Sequence, residues 1–516
     1  HRNIIVEGLD ICEKDLHVRD LPKDCLERVK KPSELFKKLD EWDIDSLVIP
    51  HGSSWGNTSP PMASWDNQLD SSNHNQKYQK LIELYSGHGN TEEYRPWRSF
   101  NLNENVYSCP QPSTNFIPYC FQSGEIIRER CRVSAGSTRE CDARANLARD
   151  SYVKSNPFGI LTVPNYNSKE WLDSGQCLDC FLPAFDYRPG SSIQYALALR
   201  NFDDLETEAY RFGFIGSSDN HGSRSGSGYK EIDRIINSDS KYNSSGPLSN
   251  NSAETQSFSG IPKTQEVDID ELMKTRTGPP QLERISSFLY TGGLVATHST
   301  AKNRDSIWES LNNREVYATS GDRILLWFDV INHPSKQTKP MGSEFELSVN
   351  PKFRVRAVGA QKQLPGCSTL EEINKETIDR LCKGECFNPS NERKLINRIE
   401  VVRIRPQAYS GEPIENLIED PWKEFLCEPS PEGCEIEFTD ENFTNANREI
   451  IYYVRGIQEP TLAINASNLN CDRDETGKCL RVNMCGDIQG QGEGDCLSEI
   501  EERAWSSPIF IKPTED

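Results

Sequence analysis

The sequence predicts an α/β fold, a βα barrel over residues 1–321, followed by a β-sandwich over residues 322–516. Three observations predict it. Up to about residue 321, short apolar runs of strand character alternate with segments of helical spacing. Polar and ionisable residues gather directly after those apolar runs, where barrel enzymes carry their chemistry. From Asp322 onward the alternation stops, and strand follows strand with few helices between.

The elements follow in order. Asn3-Ile-Ile-Val6 reads as an opening strand directly after His1. Pro32-Ser-Glu-Leu-Phe-Lys-Lys-Leu-Asp-Glu-Trp42 spaces its apolar residues as a helix, with Ser33 as the expected N-cap. Ser46-Leu-Val-Ile-Pro50 is a strand delivering His51, and Leu81-Ile-Glu-Leu-Tyr85 is another. Helices are expected over residues 139–152 and 191–205. Arg211-Phe-Gly-Phe-Ile-Gly-Ser-Ser218 reads as a buried strand running out into a loop. Residues 235–260, rich in Ser and Asn and without periodicity, read as a flexible surface insertion. Residues 305–311 are helical and lead to a strand over 315–319. The sandwich strands are expected at 324–331, 352–358, 399–404, 449–455 and 504–511, with disulfide-tied excursions between them.

A length of 516 residues allows about two to four domains. The mean hydropathy is −0.68, and no run approaches the roughly 20 apolar residues that span a bilayer, so no membrane span is expected. A net charge of −21 weighs against nucleic acid or an anionic membrane as the main partner, because both reward a basic face. A small anionic substrate remains compatible, since it meets only the local field of its site.

Seventeen cysteines are many for a cytosolic enzyme. Cys382/Cys386, Cys427/Cys434, Cys471/Cys479 and Cys485/Cys496 lie in turn-rich sequence, which favours disulfides and a secreted, periplasmic or cell-surface setting. Zinc clusters are the rival, but two close CxxC units are missing. Cys177-Leu-Asp-Cys180 precedes Phe-Leu-Pro instead of opening a helix as a redox motif would. The odd count leaves one cysteine free or paired elsewhere. Sequons at Asn57, Asn243, Asn250, Asn442 and Asn465 carry little weight in so asparagine-rich a chain. A start directly in a strand, without a signal peptide, reads as an upstream segment removed or not included.

The chemistry is read from the strand ends. Asp219 and His221 are two apart, so in extended chain they point the same way and can converge on one ion. His51 and His1 flank two other strands. Imidazole and carboxylate in that combination suit a catalytic divalent metal, namely zinc, manganese or iron. The bland alternative is a turn in which Asp219 caps backbone amides and the histidines are merely exposed. Glu83 sits among apolar neighbours, where a carboxylate is costly unless partnered, and reads as orienting a ligand histidine, as a ligand itself, or as lying on a solvated face. His88 and Glu92, in Gly87-His-Gly-Asn-Thr-Glu92, are candidates for a substrate or supporting role, against a turn chosen for flexibility. Arg224 and Arg188 could hold a phosphate or carboxylate, or pair with one of the many acids. His298 is a weaker ligand candidate. Asp472-Arg-Asp-Glu-Thr-Gly477 starts like a calcium loop but lacks the closing glutamate, so a disulfide-tied turn is expected.

Several runs together resemble the family known as domain of unknown function 3604, itself similar to the PHP (polymerase and histidinol phosphatase) metal-dependent hydrolases. They are His1-Arg-Asn-Ile-Ile, Ile49-Pro-His-Gly52, Gly87-His-Gly-Asn-Thr-Glu92 and Cys177-Leu-Asp-Cys-Phe-Leu-Pro-Ala-Phe-Asp-Tyr-Arg-Pro189. Gly216-Ser-Ser-Asp-Asn-His-Gly-Ser-Arg224, Val316-Tyr-Ala-Thr-Ser-Gly-Asp-Arg323 and Ala504-Trp-Ser-Ser-Pro-Ile509 complete the set. The resemblance implies a distorted PHP-like barrel with two or three metal ions at its carboxyl-terminal mouth. It matches Asp219, His221, His51 and His1 to metal ligands. The family's early His-x-His, Asp-His and ligand glutamate would fall ahead of His1. The barrel is therefore expected to be incomplete, lacking its first strands, with an amino-terminal segment supplied as a separate chain or not included. This chain alone is then expected to be inactive.

The resulting expectation is a metal-dependent hydrolase, a phosphoesterase using metal-activated water, with Glu83, His88 and Arg224 assisting. A hydrolase of non-phosphate esters or amides, and a secreted structural or assembly protein on a PHP-like scaffold, remain alternatives. Self-association into a homo-oligomer is left open.

Overall fold

The computed structural model describes residues 2–6, 31–43, 45–50, 64–86, 89–103, 106–156, 158–181, 189–203, 209–217, 262–275, 292–367, 374–382, 387–464, 471–482 and 497–514. Its architecture is mixed α/β, with several sheets.

At the centre is an eight-stranded sheet ordered Glu344–Leu347, Ile509–Pro513, Ile450–Gln458, Arg503–Ser506, Val316–Thr319, Leu294–Thr297. Ile396–Ile404 and Ile418–Leu426 join it through Ile450–Gln458. That strand is buried at every residue. Strand alternation explains how one apolar run serves two cores. Ile450, Tyr452 and Val454 pack with Phe328, Phe353 and Phe438, which belong to a four-stranded sheet of Lys339–Pro340, Leu325–Val330, Lys352–Val358 and Cys434–Thr439. Ile451 and Tyr453 instead pack with Ile82, Leu84, Phe212 and Phe214 from the first part of the chain. Each large side chain buried this way contributes about 1.5–3 kcal/mol. The strand-rich second part is thus two sheets face to face, and the larger sheet also takes in Leu294–Thr297 and Val316–Thr319.

Among the described residues no barrel closes. Leu81–Ser86 pairs in parallel with Gly213–Gly216 and antiparallel with the short Gly89–Asn90. Arg2–Val6 pairs antiparallel with Ser46–Pro50. Parallel strands of an α/β kind are therefore present, but antiparallel pairs stand among them.

Helix Pro32–Trp42 buries Leu35, Phe36 and Leu39, as its spacing predicts. Its cap is Lys31 and not Ser33: Pro32 occupies the first turn, where its missing N–H costs nothing, so the helix begins two residues earlier than a Ser33 cap would place it. The helix expected at 139–152 is Thr138–Lys154, capped by Ser137. It packs on Tyr119–Val133, to which Cys131–Cys141 ties it. The helix expected to reach residue 205 is only Ile193–Ala198, because Leu199 turns extended. The run expected at 504–511 divides into Arg503–Ser506 and Ile509–Pro513. Pro508, which has no N–H, interrupts the ladder there. Ser507 works at the break: its Oγ donates to the Val316 carbonyl at 2.6 Å and accepts from the Phe214 N–H at 3.0 Å.

Five disulfides lie among the described residues: Cys109–Cys120, Cys131–Cys141, Cys177–Cys180, Cys427–Cys434 and Cys471–Cys479. The last closes the turn around Asp474, whose carboxylate accepts from the N–H groups of Thr476 and Lys478. No helix among the described residues is long and apolar enough to cross a membrane.

Candidate functional site

Two parallel strands define the edge to which the sequence assigns its chemistry. Tyr85 lies opposite Gly216. The Ser217 N–H donates to the Tyr85 carbonyl at 2.9 Å, and the Gly293 N–H donates to the Ser217 carbonyl at 2.6 Å. The carboxyl ends of Leu81–Ser86 and Gly213–Gly216 are therefore side by side. Val316–Thr319 ends at the same edge. A Cβ on Gly216 would fall 2.7 Å from the Leu294 carbonyl oxygen and 3.0 Å from that of Thr319. Only glycine lets the three backbones approach so closely.

Glu83 is buried, at 4% exposure, within Leu81–Ser86. Its Oε1 accepts a hydrogen bond from the Ser217 Oγ at 2.5 Å. The carboxylate that is costly to bury alone is thus partnered by Ser217, the last described residue ahead of Asp219.

His1, His51, His88, Asp219, His221, Arg224 and Arg188 lie outside the described residues, as do residues 235–260, Cys386, Cys485, Cys496 and the sequons at Asn57, Asn243, Asn250 and Asn465. Ser86, ahead of His88, and Gly216, three residues ahead of Asp219, end neighbouring strands. Leu47 and Ile49, ahead of His51, share an apolar cluster with Leu81, Val316 and Ile215.

His298 is occupied by packing. Its Nε2 lies 2.9 Å from the Leu326 carbonyl, its ring rests against Tyr317 and Trp327, and burial lowers its pKa.

Glu92 is the residue whose surroundings the sequence disclosed least. It is fully buried and faces the core. Its Oε1 accepts from Tyr453 Oη and Arg455 Nε, each at 2.6 Å, and its Oε2 accepts from the Trp505 indole. Arg455 also binds both oxygens of Asp420 at 2.6 Å and reaches Glu400 at 3.0 Å. Gln194 bridges Asp420 and Tyr453. Burial pushes the Glu92 carboxyl up to about 7 against the pull of Arg455. Burial would also raise Asp420, but Arg455 and then Gln194 hold it below its usual value. Sequence reasoning missed Arg455 and Asp420. The available signal was an arginine inside an apolar run too continuous to have a solvated face.

Two clusters among the described residues have metal-ligand composition: Asp173 with Cys471 and Cys479, and Asp179 with Cys177 and Cys180. In both the cysteines are joined as disulfides and offer no thiolate. A cavity of about 390 Å³ lined by Tyr94, Arg98, Tyr195 and Gln407 contains none of the candidate residues.

Residues 193–361 match the family described as Protein of unknown function (DUF3604). That span contains Asp219, His221, Arg224 and the Val316–Thr319 strand. An uncharacterized protein of Chlamydia muridarum (strain MoPn / Nigg) is 37% identical over 62 residues, which is 12% of this chain and 9% of the length of that relative. No solved structure matches.

Proposed function

We propose that this chain is a metal-dependent hydrolase acting on anionic esters, phosphoesters first among them, with its site at the edge where Leu81–Ser86, Gly213–Gly216 and Val316–Thr319 end. One observation carries the reading: a buried carboxylate, Glu83, is hydrogen bonded to Ser217 where two parallel strands end together, and His88 and Asp219 follow within three residues of those ends. Ligand sites in α/β sheets form outside the carboxyl ends of strands.

The donor set of His1, His51, Asp219 and His221 suits borderline divalent ions, zinc, manganese or iron. When bound, two or three such ions would supply an activated water and neutralise charge on the ester oxygens. Glu83 orients an imidazole N–H, Ser217 holds that side chain in place, His88 moves protons, and Arg224 grips the anionic group. A PHP-like barrel over residues 1–321, a sandwich over 322–516, and a secreted, periplasmic or cell-surface setting belong to the same proposal.

The test is elemental analysis of purified wild-type chain and of Asp219→Ala/His221→Ala. Bound divalent metal is expected in the first and its loss in the second. Equal metal content in the two would remove the site, leaving a cystine-tied scaffold.

A further inference from the structure

Arg503 opens the strand Arg503–Ser506. Its N–H donates to the Ser320 Oγ at 2.9 Å, and its carbonyl accepts from the Ser320 N–H at 2.9 Å, which fixes it beside the end of Val316–Thr319. It therefore stands at the same edge as Ser217.

The side chain is 7% exposed. Its guanidinium carbon lies 3.7 Å from the centroid of the Phe181 ring. Phe181 in turn contacts Tyr85 and Trp505, and its carbonyl accepts from Asn90 Nδ2 at 2.6 Å. The cation is thus buried beside the end of the Leu81–Ser86 strand, stacked on an aromatic face. Stacking covers the plane of the guanidinium but leaves its N–H groups, which radiate within that plane, to be satisfied by something else.

Among the described residues nothing satisfies them. Nε is buried without a hydrogen-bond partner. The carboxylates whose fields reach Arg503 are Glu93, Glu92 and Glu400, and each is engaged elsewhere. Glu93 accepts from the Phe181 N–H at 2.9 Å and pairs with Arg95 at 3.5 Å. Glu92 is taken by Arg455, Tyr453 and Trp505. Glu400 is taken by Arg398 and Arg455. Burial, and then the positive charge of Arg455, work against Arg503 and lower its pKa, although a guanidinium stays cationic throughout. A buried cation with a second cation near it and its neighbouring acids already taken calls for an anion from outside.

We infer that Arg503 is an oxyanion-binding residue of this edge, gripping two oxygens of a phosphate group on the substrate with its planar fork. The assignment rests on the proposed site and deepens it by naming the charged group that the substrate presents. Arg503 would hold the phosphate from the side of Phe181.

The test is calorimetric titration of inorganic phosphate, and separately of acetate, into the whole wild-type chain, Arg503→Gln and Arg503→Lys, all in the presence of a chelator and with folding checked by circular dichroism. Phosphate is expected to bind the wild type, about tenfold or more weaker to Arg503→Gln, and at an intermediate level to Arg503→Lys, which keeps the charge without the fork. If Arg503→Gln does not fold, Arg503→Lys decides. Unchanged affinity in the deciding variant, no phosphate binding by the wild type, or Arg503-dependent binding of acetate alone overturns the inference. Because the titration needs neither metal nor turnover, Arg503-dependent phosphate binding in a chain that takes up no metal would sink the hydrolase reading while this one stands.

Discussion

Glu92 shows how much the setting of one side chain decides. A carboxyl whose pKa is 4.5 in open chain is raised to about 7 in the folded protein, first by burial. The native state then holds the proton more tightly than the unfolded chain. The stability from that proton is complete below pH 4.5 and is lost as pH rises toward 7. Glu92→Gln should remove this part of the pH dependence. In urea unfolding, wild-type stability relative to the variant is expected to decline from pH 4.5 to 7 and to level off above. Parallel stability curves across that window would contradict the assignment. Asp420, held low by Arg455, works in the opposite sense and loses its contribution only as pH falls through the acid range.

Among the elements, Gly213–Gly216 is the one with least freedom. A methyl at Gly216 would collide with the backbone of Leu294 and Thr319, and neither strand can move alone because each is laddered to the other. Gly216→Ala is therefore expected to cost about 1–3 kcal/mol, read as an earlier midpoint in urea. A midpoint equal to wild type would show that the three strand ends are not packed so closely. Such elements were legible from sequence where apolar residues carry a clear period: Pro32–Trp42, Lys352–Val358 and Ile450–Gln458 all fall where the pattern places them. Tyr119–Val133 was not legible, because Gln122, Ser123 and Arg130 lie on its buried side and blur the apolar stripe. Of the candidate site, the strand ends and the partnered Glu83 could be read, since a carboxylate between leucines and isoleucines has to find a donor. Glu92 and Arg503 could not, for their partners lie hundreds of positions away in the sequence.

The whole molecule is fastened by covalent clips as well as by its cores. Each of the five described disulfides joins cysteines separated by 3 to 11 residues, so each closes a small loop and contributes locally. Replacing Cys427 and Cys434 together by Ala should lower unfolding stability by about 2 kcal/mol, measured with denaturant, through greater freedom in the unfolded chain of the connection between Ile418–Leu426 and Cys434–Thr439, which lie in different sheets. No change would mean that this connection is already as constrained without the bond. The eight-stranded sheet has a further consequence. Because Tyr453, Trp505 and Phe510 face the first part of the chain while Tyr452, Ile509 and Ile511 face the second, neither part can be cut away without baring a broad oily wall. Evolution could not trade one half for another by simple recombination at residue 321; a replacement would have to arrive already matched to that wall, so the two parts inherit each other's constraints.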